Sequence, residues 1–186
     1  MIEDRLLISQ RKRGRHMIKK FLLENKFLVM FGLGLLLFRF IFPLYEVDGA
    51  SMDYTLADGQ RVIGTKFSEI DHFDIVIVDV PEREKFYVKR VIGLPGDKVE
   101  YRDDQLYIND EFVPESFLDE KKAEWQLFTK DFLVEEVPAG EYFVLGDNRR
   151  NSTDSRTMGT IKEADILSEV LAVYWPLNNM TVLSAD

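Results

Sequence analysis

The chemistry open to this chain is limited first by what it lacks. Its 186 residues include no cysteine and only two histidines, His16 and His72. Disulfides, thiolate nucleophiles and cysteine-based metal sites are therefore excluded. A Ser-His-Asp triad would need one of the histidines. His16 lies in a basic N-terminal stretch, and His72, in "SEIDHFD", reads as a solvent-exposed turn residue with a structural role. Neither a His-Glu-x-x-His nor an EF-hand pattern occurs, so no metal and no cofactor is expected. What remains is a serine or threonine served by some other base.

Lysine becomes such a base when burial strips water from its ammonium and lowers its pKa. The stretch "KFYVKRVIGLPGD", residues Lys85 to Asp97, sets Lys89 in a strand-like run of Phe86, Tyr87, Val88, Val91 and Ile92. With a period of two, Lys89 shares a face with Tyr87 and Val91, while Phe86, Val88, Arg90 and Ile92 face the other way. Lys89 is then either a desolvated lysine or an edge-strand lysine that discourages aggregation, and this run alone leaves both open. Ser51, in "VDGASMDYTLADGQRV", follows Gly49-Ala50, where backbones come close, and precedes the flexible Met52. A plain turn serine stays open there too. A third stretch, "LGDNRRNSTDSRTMG", gathers Asp147, Asn148, Ser152, Asp154 and Arg156 between apolar runs. A solvated loop could have this composition, but its paired opposite charges fit an internal hydrogen-bonded platform better.

Such residues need a scaffold to hold them. From Tyr45 onward, "RVIGTKF", "FDIVIVDVP", "FYVKRVIG", "KVEYR", "QLYIND", "EYFVLGD" and "LSEVLAVYWP" are short β-branched and aromatic runs, most of them closed by Gly, Pro, Asp or Asn. "VEYRDDQLYINDEFV" predicts consecutive hairpins turning at Asp103-Asp104 and Asn109-Asp110. Only "PESFLDEKKAEWQLF" predicts an amphipathic helical stretch, with a turn or two in "TIKEADIL". The expected fold class is mostly β, an antiparallel catalytic domain over residues 45–186 with residues 100–138 as an inserted hairpin and helix region.

The N-terminal end is different. Residues 1–26 hold eight Lys/Arg against three acids, a surplus of +5, so the total of −9 leaves −14 on the remaining 160 residues. A basic head on an acidic body suits an N-terminus held at the cytoplasmic face of a membrane, and a nucleic-acid-binding arm is the alternative. The charge-free run from Phe27 to Phe38 is short for a span of about 20 residues. Arg39 can snorkel, however, and Pro43 and Tyr45 close the segment at an interface, which gives an anchor over residues 27–44. The same segment reads as a cleaved secretory signal, with weak small-residue sites at Val47-x-Gly49 or Asp48-Gly49-Ala50.

Taken together and in this order, "GASMDYTL", "YVKRVIGLPGD" and "GDNRRNSTDSR" resemble the conserved blocks of bacterial type I signal peptidases, membrane-anchored serine proteases with a Ser-Lys dyad. The resemblance runs from about Val47 to Pro176 and includes "YWPLN". The single anchor and small insertion are similar to the shorter Gram-positive members. The resemblance implies that Ser51 is the nucleophile and Lys89 the general base, with Tyr87 beside them and Ser152 near the lysine to orient it. It implies an Asp154–Arg156 ion pair under the site, supported by Asp147 and Asn148. The implied partners are secretory preproteins with small residues, usually Ala, at the first and third positions before the cut. Their strand would pair near Val47–Gly49 and Phe86–Val88. Membrane lipid is the other implied partner, nucleic acid is not, and the catalytic unit is expected to be monomeric. Tethering near emerging cleavage sites makes a retained, single-pass anchor the expectation, with the N-terminus cytoplasmic and the domain extracytoplasmic.

Three residues depart from the family pattern. Tyr54 stands where proline is usual and is the first position to restore to proline in a folded but inert protein. Gly49 replaces a serine whose hydroxyl serves the oxyanion in many members, leaving backbone N–H groups for that task. Arg150 replaces a common aspartate. Tyr54 and Gly49 support one alternative, a signal-peptidase-like assembly partner for surface proteins with little or no proteolysis. A repressor-cleaving or stress-response Ser-Lys peptidase is another, against which the membrane segment and the "GDNRRNSTDSR" loop argue.

Overall fold

A computed structural model describes residues 17, 21, 23–80 and 85–183, so most of the basic head, including His16, lies outside the described residues. The chain divides into two compact units at Ile41/Phe42. In the first, a helix runs from Lys26 to Ile41, apolar on all sides and with no buried residue. Among the described residues, no helix is long and apolar enough to cross a membrane.

The second unit is built from twelve described strands. They are β1 (Leu44–Glu46), β2 (Arg61–Thr65), β3 (Ile75–Val80), β4 (Lys85–Gly93), β5 (Val99–Arg102), β6 (Gln105–Ile108), β7 (Glu111–Val113), β8 (Phe132–Val134), β9 (Glu141–Leu145), β10 (Ile161–Lys162), β11 (Ile166–Trp175) and β12 (Thr181–Val182). One sheet runs β1-β2-β11-β3-β4-β9-β10, with β12 added to β11, and a second runs β7-β6-β5-β8. The pairings between described strands are antiparallel, as the alternating sequence runs require. The two hairpin turns fall where expected: Asp103, Asp104, Asn109 and Asp110 all have positive φ, the conformation that two-residue hairpin loops demand.

The helical expectation for "PESFLDEKKAEWQLF" is met only over Ser116–Lys122. That stretch forms a 3₁₀ turn at Ser116–Leu118 and a single helical turn at Asp119–Lys122. Tertiary contacts override its helical pattern, because Glu115 is buried against cations and Phe128 and Thr129 are held by the Asp104 carboxylate.

β4 lies between β3 and β9, and its residues face different cores. Val91 packs with Val76, Val78 and Val144, with Tyr87 at the margin, whereas Ile92 joins the core under the second sheet. A third core, formed by Val47, Met52, Leu56, Val62, Ile75 and Ile77, holds the turn that carries Ser51.

Candidate active site

Ser51 sits in a tight turn pinned on both sides. Met52 and Leu56 are fully buried anchors, and Leu56 N–H donates to the Met52 carbonyl, 2.8 Å. Gly49 has φ of +91°, a conformation L-residues with side chains avoid, and its N–H donates to Asp58 Oδ1, 2.8 Å. From the opposite side, Asn148 N–H donates to the Ser51 carbonyl at 3.0 Å, and Asn148 Nδ2 to the Ala50 carbonyl at 3.0 Å.

Lys89, opposite Val76 in the β3–β4 register, is 0% exposed. Its Nζ donates to Ser51 Oγ and to the Val88 carbonyl, both at 2.8 Å, and lies 5.1 Å from the centre of the Tyr87 ring. Burial lowers its pKa to about 8, with Asp154 and Asp147 pulling the other way. The geometry is that of a desolvated lysine and not an edge-strand one, since β4 is paired on both sides at this point or next to it.

Behind the pair, two buried acids are each held by an arginine. Asp147 accepts from Arg90 Nε at 2.9 Å, Arg90 Nη2 at 2.7 Å and Thr55 Oγ1 at 2.5 Å. Asp154 accepts from Arg156 Nε at 2.8 Å and Nη2 at 2.7 Å, and from Gly146 N–H at 3.1 Å. Burial pushes the Asp154 carboxyl up, but Arg156 and the Gly146 N–H hold it below the usual carboxylate range. Ser152 Oγ is buried and does not bond to Lys89, whose partners are Ser51 and Val88. It instead crowds Gly146, where an added Cβ would lie 2.2 Å from Ser152 Oγ and 2.5 Å from the Ser51 carbonyl oxygen.

An open groove of about 380 Å³ ends at Ser51. Val47 lines one bank and Phe86 and Val88 the other; Gly49 is not in its wall. Sequence reasoning did not single out Gly146, Arg90 or Thr55. Arg90 carried a visible signal, because it is another cation inside the same apolar run, directed to the face opposite Lys89. His72 is also not solvent-exposed. It is half-buried, with Nε2 2.7 Å from Asp97 Oδ2, and Asp97 further accepts from Leu94 N–H and Asn109 Nδ2. A turn that must bury Asp97 recruits the nearest available donor, so the role is structural but internal.

Tyr54 has φ of +91°, which a proline ring locked near −65° cannot adopt. Proline at this position would require a different loop path, and glycine is the residue this backbone favours.

The buried Arg90–Asp147 pair makes one test simple. Arg90→Met leaves Asp147 charged and uncompensated, and is expected to cost about 3–5 kcal/mol of stability in urea unfolding. A loss below about 1 kcal/mol would mean that water reaches the pair.

A serine hydroxyl against a dehydrated lysine, at the end of a groove on an antiparallel β scaffold, is the apparatus of a hydrolase that needs neither histidine nor metal. Comparison with known proteins narrows that class. The family model "Signal peptidase, peptidase S26" matches residues 18–175. Signal peptidase I of Bacillus licheniformis is 43% identical over 157 residues, covering 80% of this chain and 84% of that protein. Signal peptidase IB of Staphylococcus aureus (strain Mu50 / ATCC 700699) is 38% identical over 168 residues, covering 82% and 85%. The crystal structure of a signal peptidase I from Enterococcus faecalis V583 aligns with a TM-score of 0.53 at 40% identity, over 55% of this chain and 97% of that one. The chain belongs to the signal peptidase family, peptidase S26, as a bacterial type I signal peptidase of the Gram-positive type. These relatives carry the name of the enzyme, which does not favour the assembly-partner alternative.

Proposed function

We propose that this chain is a membrane-anchored serine endopeptidase that removes signal peptides from secretory preproteins, with Ser51 as nucleophile and Lys89 as general base. The observation that carries the reading is the 2.8 Å contact between Lys89 Nζ and Ser51 Oγ, made by a fully buried lysine at the end of an open groove.

Neutral Lys89 takes the Ser51 proton as Oγ attacks the scissile carbonyl. The resulting ammonium returns a proton to the leaving amine, and Lys89 then activates water against the acyl-enzyme. With Gly49 offering no hydroxyl, the oxyanion falls to backbone donors, chiefly Ser51 N–H, each contributing on the order of 3 kcal/mol to the transition state. Tyr87 walls the lysine, and Asp147, Asn148, Asp154 and Arg156 support the loop beneath it. Ser152 acts through packing against Gly146. The extended preprotein strand adds between Val47–Gly49 and Phe86–Val88, and shallow apolar pockets favour Ala at the first and third positions before the cut.

The anchor reading rests on the apolar character of the helix, in which no residue is buried, and on the charge surplus before it. With Arg39 snorkelling, the helix through Ile41 forms the span, which stops short of the expected end at residue 44 because Leu44 already pairs with Ile63 in β1. Residues 1–26 are then cytoplasmic and 45–186 the extracytoplasmic, monomeric catalytic unit, with 100–138 inserted. Cleavage of this segment at residues 47–50 would remove β1, which pairs with β2 and supplies one bank of the groove. This supports a retained N-terminus.

The test is cleavage of an Ala-x-Ala preprotein peptide across pH in detergent. A base must be neutral to act, so activity is expected to rise with pH through a midpoint near 8, the pKa that burial gives Lys89. Ser51→Ala should be silent at every pH. A folded wild type that leaves the peptide intact would restore the assembly-partner reading.

A further inference from the structure

The connection between β7 and β8 has no part in the dyad chemistry, yet it touches each of the three stretches that form the site. The Phe117 ring lies 4.0 Å from Arg90 Cζ, next to Lys89 in β4. Lys121 Nζ sits 3.2 Å over the ring of Tyr54, in the Ser51 turn. Glu115 Oε1 accepts from Arg149 Nη2 at 2.6 Å, in the loop that carries Asp147 and Ser152.

We propose that Glu115 and Phe117 are positioning residues for the Ser51–Lys89 pair, Glu115 acting through Arg149 and Gly146, and Phe117 through Arg90 and Asp147. The proposal rests on the dyad reading above.

The first route is a chain of buried contacts. Arg149 and Glu115 side chains are both 0% exposed, so each needs the other's charge. Arg149 Nε also donates to the Gly146 carbonyl at 3.0 Å. The ion pair therefore helps set the position of Gly146, whose open Cβ side faces Ser152 Oγ and the Ser51 carbonyl oxygen. Tyr101 Oη and Lys122, which donates to Glu115 Oε2 at 2.9 Å, complete the pair's partners. Burial pushes the Glu115 carboxyl up, but Arg149 and Lys122 hold it below the usual range, so the pair stays ionised.

The second route works by excluding water. Phe117 covers the Arg90 guanidinium and packs on Phe73 at 5.7 Å between ring centres; the Phe73 carbonyl accepts from Arg90 Nη1 at 2.8 Å. A dry Arg90 holds Asp147 in a two-point grip, and the Asn148 N–H, next in the chain, holds the Ser51 carbonyl.

The charged groups facing Lys89 are Asp147 and Asp154, neutralised by Arg90 and Arg156, with Ser51 and the Tyr87 ring as its other neighbours. Admitting water at Arg90 loosens its hold on Asp147 and relaxes the burial of Lys89. Both changes favour the ammonium, so the pH needed for half-activity moves up.

The experiment compares full-length wild type, Phe117→Leu, Phe117→Tyr, Glu115→Gln and Ser51→Ala on an Ala-x-Ala preprotein peptide. Phe117→Leu and folded Glu115→Gln are expected to lose about tenfold in kcat with KM nearly unchanged, the pattern of a misplaced dyad. Phe117→Leu should also raise the activity midpoint by about half a pH unit. Phe117→Tyr keeps an aromatic face over Arg90 and should match wild type. Parental kcat and midpoint in Phe117→Leu would overturn the Phe117 route. If Glu115→Gln does not fold, Glu115→Gln/Arg149→Met strands no buried charge, and parental kcat in that double variant would overturn the Glu115 route. Cleavage by Ser51→Ala would instead overturn the dyad reading, independently of either.

Discussion

Lys89→Met is expected to cleave about 10²–10⁴-fold more slowly than wild type and still unfold at a higher temperature at neutral pH. The loss of activity is the loss of the only basic group in contact with Ser51 Oγ among the described residues. The gain in stability comes from the same burial that makes the lysine useful. Its pKa falls from 10.5 to about 8 because the fold disfavours the ammonium, and Asp154 and Asp147 offset only part of that. An unfolded chain keeps this proton up to a pH near 10.5, the folded chain only to about 8, so stability rises with pH across that window. Below it, the fold carries a charged lysine at a cost of about 3 kcal/mol, which a methionine of similar length avoids. The stabilisation should therefore be complete at neutral pH and fade as pH approaches 10.5. Thermal unfolding of the two proteins across pH checks this. A constant gap, or a less stable variant, would mean that the lysine is hydrated in solution.

Gly146→Ala should be nearly inactive, with a loss of about a hundredfold or more. The added carbon would stand 2.2 Å from Ser152 Oγ and 2.5 Å from the Ser51 carbonyl oxygen, closer than real Cβ contacts come. The serine hydroxyl is the end of a side chain and can rotate away, but the carbonyl is backbone held by the Asn148 N–H. Relief must come from moving the Ser51 turn or the Gly146 loop, and either displaces Ser51 Oγ from Lys89. Overpacking costs about 1–3 kcal/mol, so the variant should remain folded. Rates on the preprotein peptide, with a melting curve as control, separate misplacement from unfolding. Wild-type kcat in a folded Gly146→Ala would show that the turn shifts without carrying Ser51 along.

Some of this site could be read from local pattern. A lysine in an apolar strand and the absence of other bases made Lys89 and Ser51 candidates while leaving a structural role open for each. The resemblance of the three blocks to type I signal peptidases selected them. The strand runs and both hairpin turns followed from period-two alternation and from Asp and Asn tolerating positive φ. The helical stretch expected in "PESFLDEKKAEWQLF" shrinks to Ser116–Lys122, because periodicity cannot register that Glu115 faces a buried guanidinium. His72 was misplaced for a similar reason, since Asp97 is 25 residues away in the chain.

What the sequence by itself determined is therefore the inventory and the local geometry: a serine and a lysine open to such chemistry, the strand runs and the tight turns. These follow from residue type and short-range period. Only the tertiary structure decided the rest, namely the 2.8 Å approach across 38 residues of chain, the dryness that brings Lys89 to about 8, and the arginine that Asp147 faces. Desolvation and the pairing of charges far apart in the chain are properties of a packed interior, summed over neighbours from distant segments, and no local window contains them.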